Sequence, residues 1–521
     1  MTQPEAGRSR PAWGLIAGAA LLQAALHAAS IGRYGIFRDE LYYLSCAGRP
    51  AAGYVDQPAF SILFLAAWRA LLGDSPAALM VPPALCGAAI IVLTGLLARR
   101  FGGGPAAQGL AALVAAVAPI WLGMTGYYSM NAFDILLWTV AVSLLAKILE
   151  GDFETAPRGG VGRLWLLLGC VLALGLLNKI SVLWLGAGIA AGLVLTPARR
   201  WLATLGPWLA GGLAFLGLVP YLAWNALHRW PTLEFMRHAA AEKYVPSPPL
   251  TFAKDLLLFL NPLAAPVWIA GLVWLLAARD GRRFRLLGIV FLTTLAILLL
   301  NRTSKAEYLA ASFAPLLAAG GVALERVLHR GRNWFPAALY ASILVAAGLA
   351  LAPLAIPLLP VPRYLAYARA LGIAPSTSER KAIGALPQHF ADRFGWPEMA
   401  GTIASVFRSL PEADRKRTAV YVYNYGEAGA VDFFGRSLGL PPAICPHNNY
   451  FLWGLRGQRP GIFLVFGGSR PGLERVFSSV EAGAVFTHPW VMPYESGRTV
   501  WVCRGLRLPF EEVWPGEKNF S

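Results

Sequence analysis

Charge is what this sequence has least of. Only 14% of its 521 residues are Asp, Glu, Lys or Arg, where a soluble protein carries about a quarter. Acid is the scarcer sign, with 28 Asp and Glu against 45 Lys and Arg, for a net charge of +17. Cysteine is rare, at five, and no zinc-type spacing, Walker loop or dinucleotide fingerprint occurs. Among the seven histidines, His228 and His238 have no partner at metal-ligand spacing. No internal repeat and no low-complexity tract is present beyond an Ala/Leu bias. These absences argue against metal, nucleotide and repeat architectures. What is abundant is apolar: 56% of residues are hydrophobic, and they come in long runs. Such runs define a polytopic membrane protein.

Eleven runs are candidate spans, near 12–31, 76–97, 106–123, 132–149, 163–178, 179–197, 205–224, 262–278, 285–300, 308–325 and 335–358. The first follows a short basic N-terminus and reads as an uncleaved helix, not a removed signal peptide. Positive residues test the sidedness. With Arg8 and Arg10 on the cytoplasmic side, the even connections hold Arg99-Arg100, then Arg158 and Arg163, then Arg199-Arg200. The next two hold Arg279, Arg282, Arg283 and Arg285, then Arg326, Arg330 and Arg332. Each carries at least two arginines, as the positive-inside rule requires. In a soluble chain the +17 balance would suggest a nucleic-acid partner; here cytoplasmic loops account for much of it. An odd number of spans places the C-terminus outside.

The apolar runs stop near residue 359, where an outer soluble domain of mixed α/β character is expected. Residues 396–410, 426–439 and 473–480 read as helices, and 417–425, 462–466 and 499–503 as strands, the last at an edge or closing position. Cys445 and Cys503 are the only cysteines of this domain, and an oxidising compartment permits them to pair. Cys86 and Cys170 fall in spans and read as small apolar fillers. The expected fold class is therefore an α-helical polytopic membrane protein of about eleven spans with a C-terminal α/β extracytoplasmic domain. The expected division is 1–358, with an outer loop at 32–75, and 359–521.

The chemistry concentrates on the outer side. Arg38-Asp39-Glu40-Leu41-Tyr42-Tyr43 follows the first span, with Tyr54-Val55-Asp56-Gln57-Pro58 behind it. An ordinary wet loop would explain three surface carboxylates. These, however, are adjacent or nearly so, lie close to a bilayer where charge is costly unless used, and are flanked by interface-seeking aromatics. Lys179, Arg237, Lys243, Arg302 and Lys305 sit at the membrane edges of outer segments, where the positive-inside rule disfavours them. One such cation is usually a snorkelling side chain; five on one face fit an anionic ligand such as a lipid phosphate. Asp134, after Tyr127-Tyr128-Ser129, reads equally as a helix-start carboxylate or as a site residue. Tyr308 reads as an interfacial anchor or a phosphate hydrogen-bond donor.

Arg38-Asp39-Glu40 in the first outer loop resembles the acidic motif of the dolichyl-phosphate-mannose protein mannosyltransferases and of the bacterial lipid A aminoarabinose transferases. These are family 39 members of the GT-C superfamily of membrane glycosyltransferases. The order that follows is similar too: Tyr54-Val55-Asp56-Gln57-Pro58, then Gly73-Asp74-Ser75 leading into the second span, and later Ser304-Lys305-Ala306-Glu307-Tyr308 followed by Phe313-Ala314-Pro315-Leu316. The resemblance covers most of 12–325. It implies a sugar donor linked through phosphate to a polyprenol, and transfer on the outer face with inversion. It implies Asp39 as catalytic base, and Lys243, Lys305 and Tyr308 as phosphate ligands. Gln57 departs from relatives, where a basic residue often follows the Asp; one phosphate contact is then either missing or supplied by Arg38 or Lys179. The region 359–521 does not resemble the β-trefoil of the eukaryotic enzymes, so protein O-mannosylation does not follow.

A hydroxyl acceptor needs a base within hydrogen-bond reach as the new C–O bond forms. Inverting transfer from a phosphate donor needs one such base, not the two carboxylates of a hydrolase. A phosphate leaves without strong acid assistance, and cations stabilise its developing charge. That leaves Glu40 and Asp56 to orient the acceptor or the loop. The carboxylates could also hold a divalent ion, which the chemistry does not demand; no other cofactor is implied. The partners expected are the polyprenyl-phosphate sugar, a lipid, glycan or protein hydroxyl, and membrane lipids. The alternative is a transporter or flippase of a lipid-linked sugar. Against it, the acidic pair sits at the mouth of the bundle, whereas transporter sites lie near the bilayer midplane.

Overall fold

A computed structural model of the chain describes residues 9–151, 158–328 and 334–521, with backbone alone for 158–161. Arg8, Arg330 and Arg332, and the side chain of Arg158, therefore lie outside the described residues. The chain divides into two compact units. The first comprises Met1–Arg33, Ala77–Ala223 and Pro246–Pro360; the second comprises Tyr34–Pro76, Trp224–Val245 and Val361–Ser521.

The first unit is helical. Among the described residues of the whole chain, six helices are long and apolar enough to cross a membrane, and nine spans result if each bent pair counts as one. The bent pairs are Val182–Leu195 with Pro197–Ala203, Pro249–Phe259 with Pro262–Ala277, and Ala306–Ser312 with Ala314–Leu328. Shorter apolar helices include Pro105–Val117 and Gly162–Asn178. Each of the eleven runs read from the sequence overlaps one of these helices or pairs, the run at 106–123 being split between Pro105–Val117 and Pro119–Met124. Lipid offers no hydrophobic drive for helices to associate, so close backbone approach through small residues matters. Helices Ala265–Ala277 and Ala314–Leu328 meet in this way. A Cβ on Gly271 would strike the Leu316 carbonyl, and one on Gly320 the Val267 carbonyl.

The second unit is built on five strands: β1 (Thr418–Tyr421), β2 (Ala443–Ile444), β3 (Ile462–Phe466), β4 (Phe477–Phe486) and β5 (Arg498–Leu506). Their order is β2-β1-β3-β5-β4. β1 is parallel to β2 and β3, while β5 runs antiparallel to both β3 and β4. Strand β3 is buried along its whole length, as parallel strands covered on both faces usually are.

Three readings of this region need correction. The strand expected over 417–425 stops at Tyr421 because Asn424 caps helix Tyr425–Phe433. The Asn424 side chain accepts from the Glu427 N–H at 2.9 Å, and the Glu427 carboxylate accepts from the N–H groups of Tyr423 and Asn424, a reciprocal capping box. The helix expected over 473–480 ends at Val476, where β4 begins. The strand at 499–503 is internal, between β3 and β4. Cys445 and Cys503 are both free. Cys445 follows β2 and Cys503 lies in β5, with β1 and β3 between them. Strands lie about 4.8 Å apart, which puts these two beyond the roughly 7 Å Cα limit for a disulfide.

Candidate active site

The acidic motif opens helix Arg38–Ala47 in the second unit. A helix start leaves backbone N–H groups without partners, and Glu40 answers this need. Its carboxylate accepts the Phe37 N–H at 2.8 Å, and the residue is buried. Arg38 is buried as well. Its guanidinium donates to the Tyr494 hydroxyl at 2.9 Å and lies 3.5 Å from Asp392 and 3.6 Å from Glu379. Its backbone N–H donates to the Asp392 carbonyl at 2.9 Å. The first residue of the motif is thus tied inward by two buried acids that lie more than 300 positions further along the chain.

Asp39 differs from both neighbours. Its side chain is 36% exposed. One oxygen, Oδ1, accepts a 2.9 Å hydrogen bond from the Tyr425 hydroxyl and lies 3.8 Å from Arg38 Nε. Of the three motif side chains it alone combines a fixed position with an open carboxylate oxygen.

Asp56 lies behind this helix. It accepts from the Tyr42 hydroxyl at 3.0 Å, and the Asn449 amide oxygen accepts from both Tyr42 and the Val55 N–H. Burial pushes the Asp56 carboxyl up to about 6, with the Asp39 charge adding to the rise and Tyr42 and Lys243 opposing it. Burial likewise outweighs Arg38 at Asp392, which is pushed up to about 7. Lys243 lies 3.9 Å from Glu379 and so joins the same charge network. Gln57 is buried.

In the first unit, Asp134 lies inside helix Met130–Glu150, whose cap is Ser129. The helix-start reading of Asp134 therefore does not apply. Its two carboxylate oxygens accept from the Ser181 hydroxyl at 2.9 and 3.0 Å, and Lys179 Nζ is 3.5 Å away. Lys179 also donates to the Asn131 amide oxygen at 2.8 Å and lies over the Tyr308 ring, 5.4 Å from its centroid. Lys305 sits 3.7 Å from Glu307. The expected residues thus gather in two sets. Arg38, Asp39, Glu40, Asp56 and Lys243 belong to the second unit; Asp134, Lys179, Lys305 and Tyr308 belong to the first. Among the described residues, no group of three or more His, Cys, Asp or Glu is arranged to hold a metal ion.

Sequence reasoning missed Tyr425, Glu379, Asp392, Tyr494 and Asn449. Only Tyr425 carried a local signal: it directly follows Asn424, which opens the Asn-x-x-Glu capping box at 424–427.

Comparison with known proteins agrees with this fold. Residues 56–224 match the family model of dolichyl-phosphate-mannose-protein mannosyltransferases; the match takes in Asp56, Asp134 and Lys179 and begins after Asp39. The structure of ArnT from Cupriavidus metallidurans bound to undecaprenyl phosphate superposes with a TM-score of 0.60 at 14% identity, over 94% of this chain and 98% of that one. The archaeal oligosaccharyltransferase AglB from Archaeoglobus fulgidus, in complex with an inhibitory peptide and a dolichol-phosphate, gives 0.52 at 12% identity, over 87% of this chain and 69% of that one. The arabinofuranosyltransferase AftD from Mycobacteria gives 0.53 at 16% identity, over 95% of this chain but 40% of its own length. No curated protein sequence matches. The resemblance to the mannosyltransferases is borne out over residues 56–224, about a third of the chain, and this multi-pass membrane protein shares its fold with ArnT, AglB and AftD.

Proposed function

We propose that this chain is a glycosyltransferase that moves a sugar from a polyprenyl-phosphate donor to a hydroxyl acceptor on the outer face of the membrane, with inversion. The observation that carries the reading is the contrast within the motif. Glu40 is consumed by its helix cap and Arg38 by two buried acids, while Asp39 keeps an open oxygen. Asp39 is then the general base. The acceptor hydroxyl gives its proton to Asp39 as its oxygen bonds to the anomeric carbon. The bond from that carbon to the phosphate oxygen breaks on the opposite side, and the polyprenyl phosphate leaves as an anion.

Glu40 and Arg38 hold the loop, and Asp56 with Tyr42 orients it. Lys179, Lys305 and Tyr308 are the groups we assign to the lipid phosphate, with Lys243 tuning the acid loop. Cations aimed at developing phosphate charge supply the stabilisation such a reaction needs. The lipid phosphates named with ArnT and AglB support a lipid-linked donor here. The acceptor is a lipid, glycan or protein hydroxyl. The arginine-bearing even connections support an outer location for 359–521, with 1–358 as the catalytic membrane domain. The excess of Arg over Lys and the abundance of Ala fit a bacterial inner membrane and a role in the cell envelope.

The test is release of polyprenyl phosphate from labelled undecaprenyl-phosphate sugars by the full-length protein in membranes that supply the acceptor. Asp39→Asn should lower turnover by about 10²–10⁴-fold, the usual contribution of a general base, with donor binding retained. Near-normal turnover in that variant would remove Asp39 from the mechanism.

A further inference from the structure

The hydroxyl of Tyr425 reaches the open carboxylate of the motif from a helix 386 positions later in the chain, and the contact is built, not incidental. The Tyr425 residue is only 8% exposed. Its ring is held by three others: the Tyr42 ring at 4.9 Å, the His447 ring at 4.8 Å and the Arg38 guanidinium at 5.3 Å. Burial pushes the phenol well above its ordinary value, so it stays protonated and donates. The backbone beside it fits the same purpose. A Cβ on Gly429 would lie 2.8 Å from the Leu41 carbonyl carbon, and one on Gly426 would strike the Arg38 side chain. Helix Tyr425–Phe433 can therefore lie directly against helix Arg38–Ala47, at a distance from which a tyrosine reaches Asp39.

We infer that Tyr425 is a positioning residue for the transfer reaction: by holding Asp39 Oδ1 it fixes the carboxylate so that Oδ2 is presented to the acceptor hydroxyl. This rests on the reading of Asp39 as base. The role follows from hydrogen-bond chemistry. A carboxylate on a flexible Cβ–Cγ bond rotates unless one oxygen is held, and about 1 Å of misplacement can cost about 100-fold in rate. The other strong contacts of the motif bind Arg38 and Glu40, so Tyr425 is the donor that addresses the base itself.

The experiment uses full-length protein and whichever labelled undecaprenyl-phosphate sugar it turns over from a mannose, glucose and aminoarabinose panel. Four variants are compared: Tyr425→Phe, Asp39→Asn, the double variant, and Tyr421→Phe. The last removes a phenol of β1 that donates to Glu517 at 2.9 Å, a structural contact elsewhere in the unit. Tyr425→Phe should lower kcat by roughly 10- to 100-fold with KM for the donor unchanged, and with a melting temperature no lower than that of Tyr421→Phe, which should keep its turnover. The double variant should be no slower than Asp39→Asn, because an Asn that cannot take the proton gains nothing from being aimed. Full turnover in Tyr425→Phe, with Asp39→Asn inactive, would overturn the positioning role and leave the base intact. Losses that multiply in the double variant would also overturn it, as a general structural defect. Full turnover in Asp39→Asn would overturn the base assignment, and the positioning role with it.

Discussion

Three adjacent polar residues do three different things, and their surroundings decide which. The sequence singles out Asp39 as a candidate because a carboxylate beside a bilayer is costly unless used; that Glu40 caps its own helix follows from the Phe37 N–H lying 2.8 Å away. Glu40→Gln keeps an acceptor oxygen for that N–H, so its expected effect on turnover is far smaller than that of Asp39→Asn, within about tenfold in the same release assay. Equal losses in the two variants would return Glu40 to the reaction. Asp56 carries a pH signature. Its folded-state value, about 6, lies above the ordinary 3.8, so the folded protein binds this proton more tightly than the unfolded chain does. The stability it contributes is full below pH ~4 and is lost as pH rises through about 6. Asp56→Asn removes that dependence. The melting temperature of the variant relative to the native protein should therefore climb between pH 4 and 6 and level off above about 7. A difference that stays flat across this range would contradict the assignment. The partners of these residues were not legible: Glu379, Asp392 and Tyr494 lie in stretches with no motif, and only folding brings them to Arg38.

Elements were legible where periodicity was long. The apolar runs became helices or broken helix pairs because apolar backbone has no other way to satisfy itself in lipid. The sheet was harder. Strand β2 has two residues, too few for any pattern, and β4 is an edge strand whose small and polar residues dilute the alternation. Where Leu473 to Val480 reads as one segment, the helix ends at Val476 and its last residues turn into β4. The contact between helices Arg38–Ala47 and Tyr425–Phe433 gives a sharper test. At Gly429 the obstacle to a Cβ is the Leu41 backbone as well as its side chain, and backbone cannot move aside as a side-chain tip can. Gly429→Ala should destabilise the protein by about 1–3 kcal/mol, the usual range for overpacking, measured by denaturant or thermal unfolding in detergent. Gly401→Ala serves as control, since nothing lies within 4 Å of a Cβ there. Equal stability of the two variants would mean that the helices adjust freely.

At the scale of the whole molecule, arginine placement is the strongest statement the sequence makes. The even connections are basic without exception, and the sidedness proposed from them is open to a direct test. Phosphatase fused near residue 400 should be active, and fused near Arg283 inactive; the reverse pattern would invert every assignment of side. The sequence divides at 358, whereas compactness groups Tyr34–Pro76 with Val361–Ser521. That grouping could not be read from a linear text, because it rests on contacts such as Tyr425 to Asp39 and Asn449 to Val55.

The same grouping has a consequence in time. Ribosomes add about 5–20 residues per second, so the 386 positions between Asp39 and Tyr425 correspond to roughly 20 to 80 seconds of synthesis. During that interval the acid loop has left the ribosome and its partners have not yet been made. A chain cut short before Tyr425 therefore lacks both the hydroxyl that holds Asp39 Oδ1 and the capped helix that carries it.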